Sequence, residues 1–374
     1  MEAKRLKLLF CQTQFKLGGQ QKVLLTIAEE LGKKHDVTIY YENHSFFDLS
    51  KFTLIRPNKI VQLLNLFLVL IKHFFTLNFN KKLIADDWHL RNLKKTLAKK
   101  EYDIVILLNP YILFVDEIRK LLKTKKVVCW THNIFENYVN NCFKDEQKKL
   151  FSSMQSADQI VSLERYTAAK WSEYNPNVTI IHNPITIDND NKRANLKSKK
   201  ISFVGRIQID MKGLDYLIQL AKLLDPDITI HIAGSGNSRE ERQFKKMLLE
   251  NDVNEKIICH GALKGRKLVD HYSDSFAFVM TSRYEGFPLV AVESMRLALP
   301  FIGFEIPSLQ EVTANGKYGK LVELGDVQKM ADILNRLSKS EDEKHALSKQ
   351  SLARVKEFTV KKIGNEWSEK VIEI

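Results

Sequence analysis

The sequence of 374 residues lacks any apolar run long enough to cross a bilayer. Its longest apolar stretch, Ile60–Ile71, has 12 residues, whereas a transmembrane helix needs about 20. We expect no signal peptide, because the first apolar run, Leu6–Cys11, is short and is typical of a first strand. The sequence also has no internal repeat and no low-complexity tract. With 44% apolar and 28% charged residues, it has the composition of a globular protein.

Cysteine is scarce, and its spacing does not fit a metal site. The four cysteines each lie in or near an apolar run: Cys11, Cys129, Cys142 and Cys259. We therefore expect buried free thiols in a reducing compartment.

Acidic residues are nearly absent from residues 51–100, which hold 11 basic and 2 acidic residues. The net charge of +13 arises entirely in residues 1–200, because residues 201–374 hold 25 residues of each sign. A basic region can face nucleic acid, an acidic polymer or an anionic membrane. Because this one surrounds an apolar run, we predict that segment 56–100 lies in a membrane interface. The alternative is a helix buried in the first domain with a solvated basic edge. The candidate membrane contacts are Leu66, Phe67, Lys72, Lys81 and Lys82.

Strand-like and helix-like segments alternate along both halves of the chain, which predicts parallel sheets covered on both faces. The fold class is therefore α/β, with two doubly wound, Rossmann-like domains facing a central cleft. We predict an N-terminal domain over residues 1–185, a polar linker over 186–199 and a C-terminal domain over 200–357. Residues 358–374 are expected to form a helix that packs back on the first domain. Ligands of such sheets bind at the carboxyl ends of the strands.

Two glutamates, Glu285 and Glu293, mark the most informative stretch. A buried strand is predicted just before them, and Gly286 and Pro288 suit a turn into a helix. Glu285 then lies in the turn and Glu293 about two helical turns further on. The free N–H groups of such a turn favour an anionic ligand, and the carboxylates can accept hydrogen bonds from sugar hydroxyls. The pattern predicts a site for a sugar attached to a phosphate.

Other candidates also follow predicted strands. Arg206 and Lys212 lie on one strand-end loop, where two fixed cations can hold a diphosphate and stabilise its charge as it leaves. His132 follows a strand of the first half and is a site candidate for that reason. Glycines that let a backbone approach a phosphate or sugar closely occur at Gly18-Gly19 and Gly234-Ser235-Gly236. Taken alone, Gly18-Gly19 is more typical of a loop turn than of a site, and Gly234-Ser235-Gly236 fits a tight turn as well. No complete dinucleotide fingerprint is present.

In order and spacing, these motifs resemble family 4 of the retaining glycosyltransferases, which have the two-domain GT-B fold. The resemblance covers nearly the whole chain. The matching segments are Ile181–Pro184, Phe203–Arg206 with Lys212-Gly213, Ile232–Gly236, His260-Gly261, and Ser282–Pro288 with Glu293.

The resemblance implies a role for each candidate. Arg206 and Lys212 would grip the donor diphosphate, and Glu293 would bind the nucleotide ribose. Glu285 and the N–H groups of Gly286 and Phe287 would contact the donor sugar. His132 would lie beside the sugar and the acceptor, and Gly18-Gly19 would lie beside the donor phosphates. The other donor-binding candidates are Gly205, Gly234, Gly286, Phe287, Pro288 and Leu289. The family uses no metal and no cofactor, and it passes through an oxocarbenium-like state in which the leaving phosphate helps to deprotonate the acceptor on the same face.

Some features depart from the family pattern or compete with it. Ser294 and Ala298 stand where the family usually has Ala and Gly, which requires a backbone angle that Ala298 can adopt. Two motifs mimic the paired aspartates that hold a divalent metal in other sugar transferases, but both lie in polar connecting segments. They are Asp188-Asn189-Asp190 and Asp225-Pro226-Asp227.

The resemblance and the charge pattern together predict an enzyme that moves a sugar from a nucleotide diphosphate, most often UDP, to a membrane-held, polyprenyl-diphosphate-linked saccharide in bacterial cell-surface polysaccharide synthesis. Such an enzyme works in the cytoplasm, on the inner face of the cell membrane. A first alternative acceptor is an anionic polymer such as a teichoic-type chain. A phosphorylase is disfavoured because no lysine motif for its pyridoxal cofactor is found. A non-catalytic sugar- or nucleic-acid-binding protein is the alternative of another class, but no nucleic acid partner is expected.

Overall fold

The computed structural model describes residues 4–15, 18–77, 80–188 and 191–373. The chain divides into two compact units: a first unit of residues 1–182 with 360–374, and a second unit of residues 183–359. The stretch 186–199, which the sequence predicts as a linker, lies within the second unit, where the Ala194 N–H donates to the Leu297 carbonyl at 2.7 Å. Among the described residues, no helix is both long and apolar enough to span a membrane.

The first unit is built on a parallel sheet of seven strands in the order β3-β2-β1-β4-β5-β6-β7. Buried Leu, Ile and Val dominate its central strands, as expected for a sheet covered on both faces. Its strands are β1 (Lys7–Cys11), β2 (Asp36–Tyr40), β3 (Thr53–Ile55), β4 (Glu101–Leu107), β5 (Lys123–Trp130), β6 (Gln159–Ser162) and β7 (Val178–Ile180).

The helices of the first unit include one from the end of the chain. They are α1 (Gly19–Gly32), α2 (Lys59–Phe75), α3 (Lys81–Leu97), α4 (Val115–Leu121), α5 (Phe135–Asn137), α6 (Gln147–Ser156), α7 (Arg165–Ser172) and α16 (Val360–Trp367). Shorter turns lie at Tyr111–Phe114, Tyr138–Cys142 and Ser368–Ile372. Helix α16 packs on α1, and its Trp367 ring contacts Trp130 edge to face at 4.6 Å between centroids.

The second unit has a parallel sheet of six strands in the order β10-β9-β8-β11-β12-β13. Its strands are β8 (Lys200–Val204), β9 (Thr229–Ala233), β10 (Ile257–Cys259), β11 (Ala277–Met280), β12 (Phe301–Phe304) and β13 (Lys320–Val322). Its helices are α8 (Ile209–Lys212), α9 (Leu214–Leu223), α10 (Ser238–Glu250), α11 (Arg266–Ser273), α12 (Leu289–Arg296), α13 (Pro307–Thr313), α14 (Val327–Lys339) and α15 (Glu341–Arg354), and a short turn follows at Val355–Phe358.

The predicted α/β class with two parallel, doubly wound sheets is confirmed. In each sheet the strand order reverses once, between β1 and β4 in the first unit and between β8 and β11 in the second. The loops that leave two such neighbouring strands turn to opposite faces of the sheet and leave a crevice at the carboxyl edge. In the second unit, both major motifs of the sequence follow these two strands.

One expectation about cysteine is wrong. Cys11 and Cys129 are buried, and burial raises the pKa of both thiols well above the usual range, but Cys142 is only partly buried and Cys259 is exposed. Cys259 is the last residue of β10, which is an edge strand of the second sheet and has β9 as its single neighbouring strand. An apolar run at a sheet edge therefore does not guarantee burial.

Candidate functional site

The two halves of the candidate site come from adjacent strands of the second unit. The loop with Gly205 and Arg206 follows β8, and the stretch Thr281–Pro288 follows β11. Two hydrogen bonds to backbone carbonyls join the loops. The Arg283 backbone N–H donates to the Met211 carbonyl at 3.0 Å, and the Thr281 side-chain hydroxyl donates to the Lys212 carbonyl at 2.9 Å. The sheet topology thus brings the two motifs together at one edge.

A buried ion pair lies where these loops meet. The Lys212 Nζ is 2.5 Å from the Glu285 Oε1, and the two side chains are only 11% and 9% exposed. The Ser282 hydroxyl donates to the same carboxylate oxygen at 2.7 Å. Two residues that the sequence assigns to separate motifs therefore form one charged group. Removing either charge would leave the other buried without its partner, so the pair fixes both side chains in place.

Gly213, directly after Lys212, is required by the backbone. Its φ is +59°, and a Cβ built there would lie 1.9 Å from the Thr281 carbonyl oxygen. Gly234, after β9, is equally constrained, because its Cβ would lie 1.7 Å from the Gly205 carbonyl oxygen. Gly205 itself is less restricted, since its Cβ would meet only side chains, at 3.4 Å or more. Two of these three glycines are therefore explained by the close packing of backbone on backbone.

Arg206 contrasts with Lys212 on the same loop. Its side chain is exposed, and in the described part of the chain it makes no hydrogen bond or ion pair. A guanidinium with five free N–H donors at the carboxyl edge of a parallel sheet is well suited to bind a phosphate. Of the two predicted phosphate-binding cations, Arg206 is thus the free one, and Lys212 is neutralised by Glu285 in this structure.

The segment from Gly286 onwards enters α12 as predicted. Phe287 and Pro288 are buried, and the Phe287 ring contacts Phe358 edge to face at 5.6 Å between centroids. Helix α12 starts at Leu289 without any side-chain cap, so no side chain accepts a hydrogen bond from its first backbone N–H groups. These groups and the positive end of the helix dipole favour an anion.

Glu293 is buried in α12 and is held by two hydroxyl groups. The Thr186 hydroxyl donates to its Oε1 at 3.1 Å, and the Tyr272 hydroxyl to its Oε2 at 3.2 Å. Burial, together with the neighbouring Glu293 charge, raises the pKa of Tyr272 well above its usual range, so the phenol stays protonated as a donor. The sequence did not indicate either partner, because both lie far from Glu293 along the chain.

Sequence reasoning also missed the role of Arg283. Its guanidinium forms two hydrogen bonds with the Asp215 carboxylate, at 2.8 and 2.6 Å, and stacks on the Tyr216 ring at 4.2 Å. The Asp215 hydrogen bond is the main reason why the Arg283 pKa is raised above its usual value. These contacts tie the β11 loop to α9, so Arg283 positions the loop that carries Glu285.

The further glycine and histidine landmarks of the second unit follow β9 and β10. The Gly234 N–H donates to the Gly261 carbonyl at 2.8 Å, which joins the ends of these two strands. The His260 Nε2 lies 2.9 Å from the His231 Nδ1. These contacts make the Gly234 loop a rigid part of the sheet edge.

In the first unit, His132 lies just beyond β5, and its ring contacts Trp130 at 4.4 Å between centroids. Its backbone N–H donates to the Tyr138 hydroxyl at 2.8 Å. The imidazole Nε2 is enclosed and has no partner among the described residues, and burial lowers the His132 pKa to about 3. At neutral pH the ring is therefore neutral, and its enclosed Nε2 has no hydrogen-bond partner among the described residues.

Gly18 and Gly19 also lie where the sequence places them, at the start of the helix that follows β1. Gly18 has an extended backbone and precedes α1, and Gly19 is the first helical residue. A Cβ at Gly18 would approach only the flexible side-chain end of Gln21, at 2.6 Å. The fold therefore does not require glycine at this position, which leaves close approach of a ligand as a reason for it.

The candidate membrane contacts divide into two groups. Phe67 and Lys81 are exposed, and Leu66 is half-buried. Lys72 pairs with Asp87 at 2.5 Å, and Lys82 pairs with the buried Asp86. The two paired lysines are therefore partly neutralised within the unit.

The two aspartate motifs do not form a metal cluster among the described residues. Asp225 pairs with Lys339 at 2.8 Å and Asp227 with Lys199 at 3.1 Å, so both carboxylates already have cationic partners. Of the other motif, Asn189 and Asp190 lie outside the described residues. Over the ranges that the structure covers, no three His, Cys, Asp or Glu side chains are placed to hold one metal ion.

Comparison with known proteins gives two family matches that together span most of the chain. Residues 185–354 match the model of glycosyl transferases group 1, and residues 17–189 match that of glycosyltransferase family 4. An uncharacterized glycosyltransferase of Haemophilus influenzae is 26% identical over 94% of this chain and 95% of that protein. A Campylobacter jejuni transferase is 22% identical over 99% of both chains. It is an alpha-1,4-N-acetyl-D-galactosaminyltransferase named for a saccharide on PP-undecaprenol.

Solved structures with the same fold cover both units. Anabaena HepE in complex with UDP superimposes with a TM-score of 0.75 at 15% identity, over 99% of this chain and 100% of that chain. WaaG, a glycosyltransferase involved in lipopolysaccharide biosynthesis, does so with a TM-score of 0.70 at 13% identity, over 97% and 98% of the two chains. The two family matches, the full-length relatives and the shared fold together support the conclusion that this chain is a glycosyltransferase with the GT-B fold.

Proposed function

We propose that the protein is a retaining, metal-independent glycosyltransferase that moves a sugar from a UDP-sugar to a membrane-held, lipid-linked saccharide in bacterial cell-surface polysaccharide synthesis. The observation that carries the proposal is the arrangement at the β8–β11 edge. There a free Arg206, the buried Lys212–Glu285 pair and the uncapped start of α12 follow adjacent strands. This edge provides cations and N–H donors, which can bind a diphosphate, rather than a pair of catalytic carboxylates.

The proposed binding mode assigns one part of the donor to each group. The diphosphate binds Arg206 and the N–H groups of Gly286 and Phe287. The ribose hydroxyls bind Glu293, which Thr186 and Tyr272 hold in position. Lys212 and Glu285 bind the sugar end of the diphosphate and the sugar hydroxyls. The uridine base is proposed because relatives of the same fold bind UDP.

The proposed reaction breaks the bond between the sugar C1 and the diphosphate oxygen and forms a bond between C1 and the acceptor oxygen on the same face. The bonding electrons leave with the UDP, and the acceptor hydroxyl gives its proton to the departing phosphate oxygen. Arg206 and Lys212 stabilise the negative charge that develops there. The neutral His132 ring is proposed to lie beside the sugar and the acceptor and to form a hydrogen bond with a hydroxyl of one of them.

A membrane-held acceptor is proposed because most of the large apolar side chains of α2 are exposed. Its buried residues are Asn65, Val69 and His73, of which two are polar. The Asn65 side chain donates to Asn92 at 2.8 Å, and the His73 ring is 2.9 Å from the Asp87 carboxylate. Its apolar side chains face outward, with Leu63 68% and Phe67 62% exposed. A helix of a globular protein normally buries its apolar face, and one that exposes it beside basic residues is suited to a membrane interface. The proposed place of action is the cytoplasmic face of the cell membrane.

The direct test is a transfer assay with radiolabelled UDP-sugars and a bacterial lipid extract, with EDTA present throughout. The proposal predicts a labelled lipid product that keeps the anomeric configuration of the donor and that Arg206→Gln fails to form. A product of inverted configuration, or one that needs added Mg²⁺, contradicts the proposed mechanism. Label entering an anionic polymer instead of the lipid fraction would replace the proposed acceptor by the polymer and leave the donor chemistry unchanged.

A further inference from the structure

The first unit has a polar cavity that the donor chemistry does not use. Its volume is about 700 Å³, and its lining includes Asn43, His44, Arg56, Asn58, Lys59 and Gln62. It lies beyond the carboxyl ends of β2 and β3, which the hydrogen bond from the Tyr41 N–H to the Ile55 carbonyl holds together at 3.1 Å. Carboxyl ends of parallel strands are where sheets of this kind bind ligands.

The lining carries two cations that lack a counter-charge. Arg56 and Lys59 are both exposed, and neither has an acidic partner in the parts of the chain that the structure describes. The single carboxylate in the lining, Glu42, is buried and saturated. It accepts hydrogen bonds from Tyr40 at 2.9 Å and Tyr111 at 2.7 Å, and it pairs with His89 at 2.6 Å. The cavity therefore presents net positive charge, which fits an anion.

The rim of the cavity is rigid. The Gln62 amide donates to the Glu42 carbonyl at 3.1 Å and to the Pro57 carbonyl at 3.2 Å, which ties the first turn of α2 to the end of β2. The Asn58 side chain accepts from the Ile60 N–H at 2.9 Å and caps α2. Because these bonds hold the segment between Arg56 and Gln62, the backbone that carries Arg56 and Lys59 is fixed beside the cavity.

The exposed apolar face of α2 starts at this rim. Ile60 follows Lys59 directly, and the exposed side chains continue along the helix through Leu64 to Phe74. The 17 residues of α2 span about 25 Å. A ligand bound at Arg56 and Lys59 would thus have an apolar surface beside its anionic end. This combination fits an amphiphile with a phosphate head and a hydrocarbon chain.

We propose that this cavity binds the diphosphate of a polyprenyl-diphosphate-linked acceptor and that the polyprenyl chain leaves along the apolar face of α2. The inference rests on the proposed function, because it assigns the anionic part of the same lipid-linked substrate. It assigns Arg56 and Lys59 as diphosphate ligands in a lining that also includes His44 and Asn43. These residues set which acceptor is used and take no part in the sugar transfer itself.

The test measures binding of geranylgeranyl diphosphate by calorimetry, below its micelle concentration and with saturating UDP so that the donor phosphate site is filled. The variant is Arg56→Gln with Lys59→Gln. Its matched control is Lys94→Gln with Lys95→Gln, which removes the same charge from exposed positions of α3 in the same unit. Because charge-assisted hydrogen bonds are lost at both positions, we expect affinity to fall by at least tenfold in the variant and less than threefold in the control.

Two further ligands separate the head from the chain. Geranylgeraniol and inorganic pyrophosphate should each bind the wild-type protein more weakly than geranylgeranyl diphosphate. Equal affinity of the variant and the wild type overturns the proposal. An equal loss in the control overturns it in favour of general electrostatic attraction. The UDP-induced rise in melting temperature is measured on the same samples. If that rise persists while the variant binds like the wild type, the diphosphate site is wrong and the donor chemistry stands; if the wild type shows no rise with UDP, the proposed function itself fails.

Discussion

The carboxyl edges of the two sheets differ in how their charges are arranged. In the second unit, Lys212 is buried against Glu285, and Gly213 and Gly234 bring backbone onto backbone. In the first unit, the carboxylate of Glu42 accepts hydrogen bonds from two tyrosines, while Arg56 and Lys59 have no acidic partner among the described residues and lie beside an exposed apolar helix. The second edge is built for one ligand of fixed shape. The first offers charge and apolar surface, which suits the larger and less uniform acceptor that we propose.

The largest expected effect comes from breaking the buried pair of the second unit. Lys212→Met leaves Glu285 buried without its cation, so we expect a loss of unfolding free energy of about 3 kcal/mol together with loss of transfer. Arg206→Gln removes an exposed cation and should lower kcat by at least about 100-fold with little change in stability. Urea unfolding and transfer assays on both variants check this contrast. Full turnover by the Arg206 variant would refute its phosphate-binding role.

The close backbone packing of the second edge gives the next effect. Gly234→Ala places a methyl group against the Gly205 carbonyl, so we expect a loss of about 2 kcal/mol in stability and a weaker UDP-induced thermal shift. Gly205→Ala is the matched control, because its methyl group meets only side chains. Similar melting temperatures of the two variants without nucleotide would contradict the packing argument.

The exposed face of α2 distinguishes the first unit. Leu63→Glu with Phe67→Glu should reduce binding to phosphatidylglycerol-containing vesicles by more than tenfold, because two apolar contacts are lost and two negative charges are added. Leu249→Glu, at an exposed leucine of α10 in the second unit, is the control. Co-sedimentation of a folded double variant at the wild-type level would contradict the proposed contact of α2 with the membrane.

The pH dependence of stability should reflect a buried histidine of the second unit. Burial lowers the pKa of His271 to about 4, with His260 and His231 adding to the effect, whereas an unfolded histidine has a pKa of about 6.5. The unfolded chain therefore binds more protons between these values, so the stability contributed by the neutral ring is complete above pH 6.5 and falls as the pH drops toward 4. At pH 5.5 the loss of unfolding free energy, relative to pH above 6.5, is about 1 kcal/mol. In urea unfolding across this range, His271→Gln should show a shallower dependence, and an unchanged slope would contradict the assignment.

The smallest expected effect concerns a departure from the family pattern. Ala298 follows the last turn of α12 with a φ of +66°, a left-handed conformation that costs alanine more than glycine. Ala298→Gly should raise stability by about 0.5–1 kcal/mol. Ala346→Gly, at an exposed position inside α15, should lower it by a similar amount, since helix propensity alone acts there. A loss of stability in both variants would show that Ala298 is not strained.

The sequence predicted the features that depend on local pattern. The buried central strands, the turn at Gly286 and the helix over Glu293 follow from apolar runs and turn residues. The Lys212–Glu285 contact did not follow, because it depends on the pairing of β8 with β11 across more than 70 residues. The exposed Cys259 was equally beyond local pattern. For α2 the sequence left two alternatives, a membrane interface or burial in the domain, because the hydrogen bonds between α2 and α3 that orient the helix join residues 26 or more positions apart.

The most direct test of the central claim is nucleotide binding by the second unit's site in the full chain. Melting temperature is measured with UDP, GDP and ADP, with and without EDTA, for the wild type and for Glu293→Gln. We expect UDP to raise the melting temperature of the wild type whether or not EDTA is present, because ligand binding to the folded state stabilises it. It also predicts a much smaller rise for Glu293→Gln, which loses the proposed ribose contact. No rise with any nucleotide, or an equal rise in the variant, would contradict the assignment of a nucleotide-sugar site at this edge.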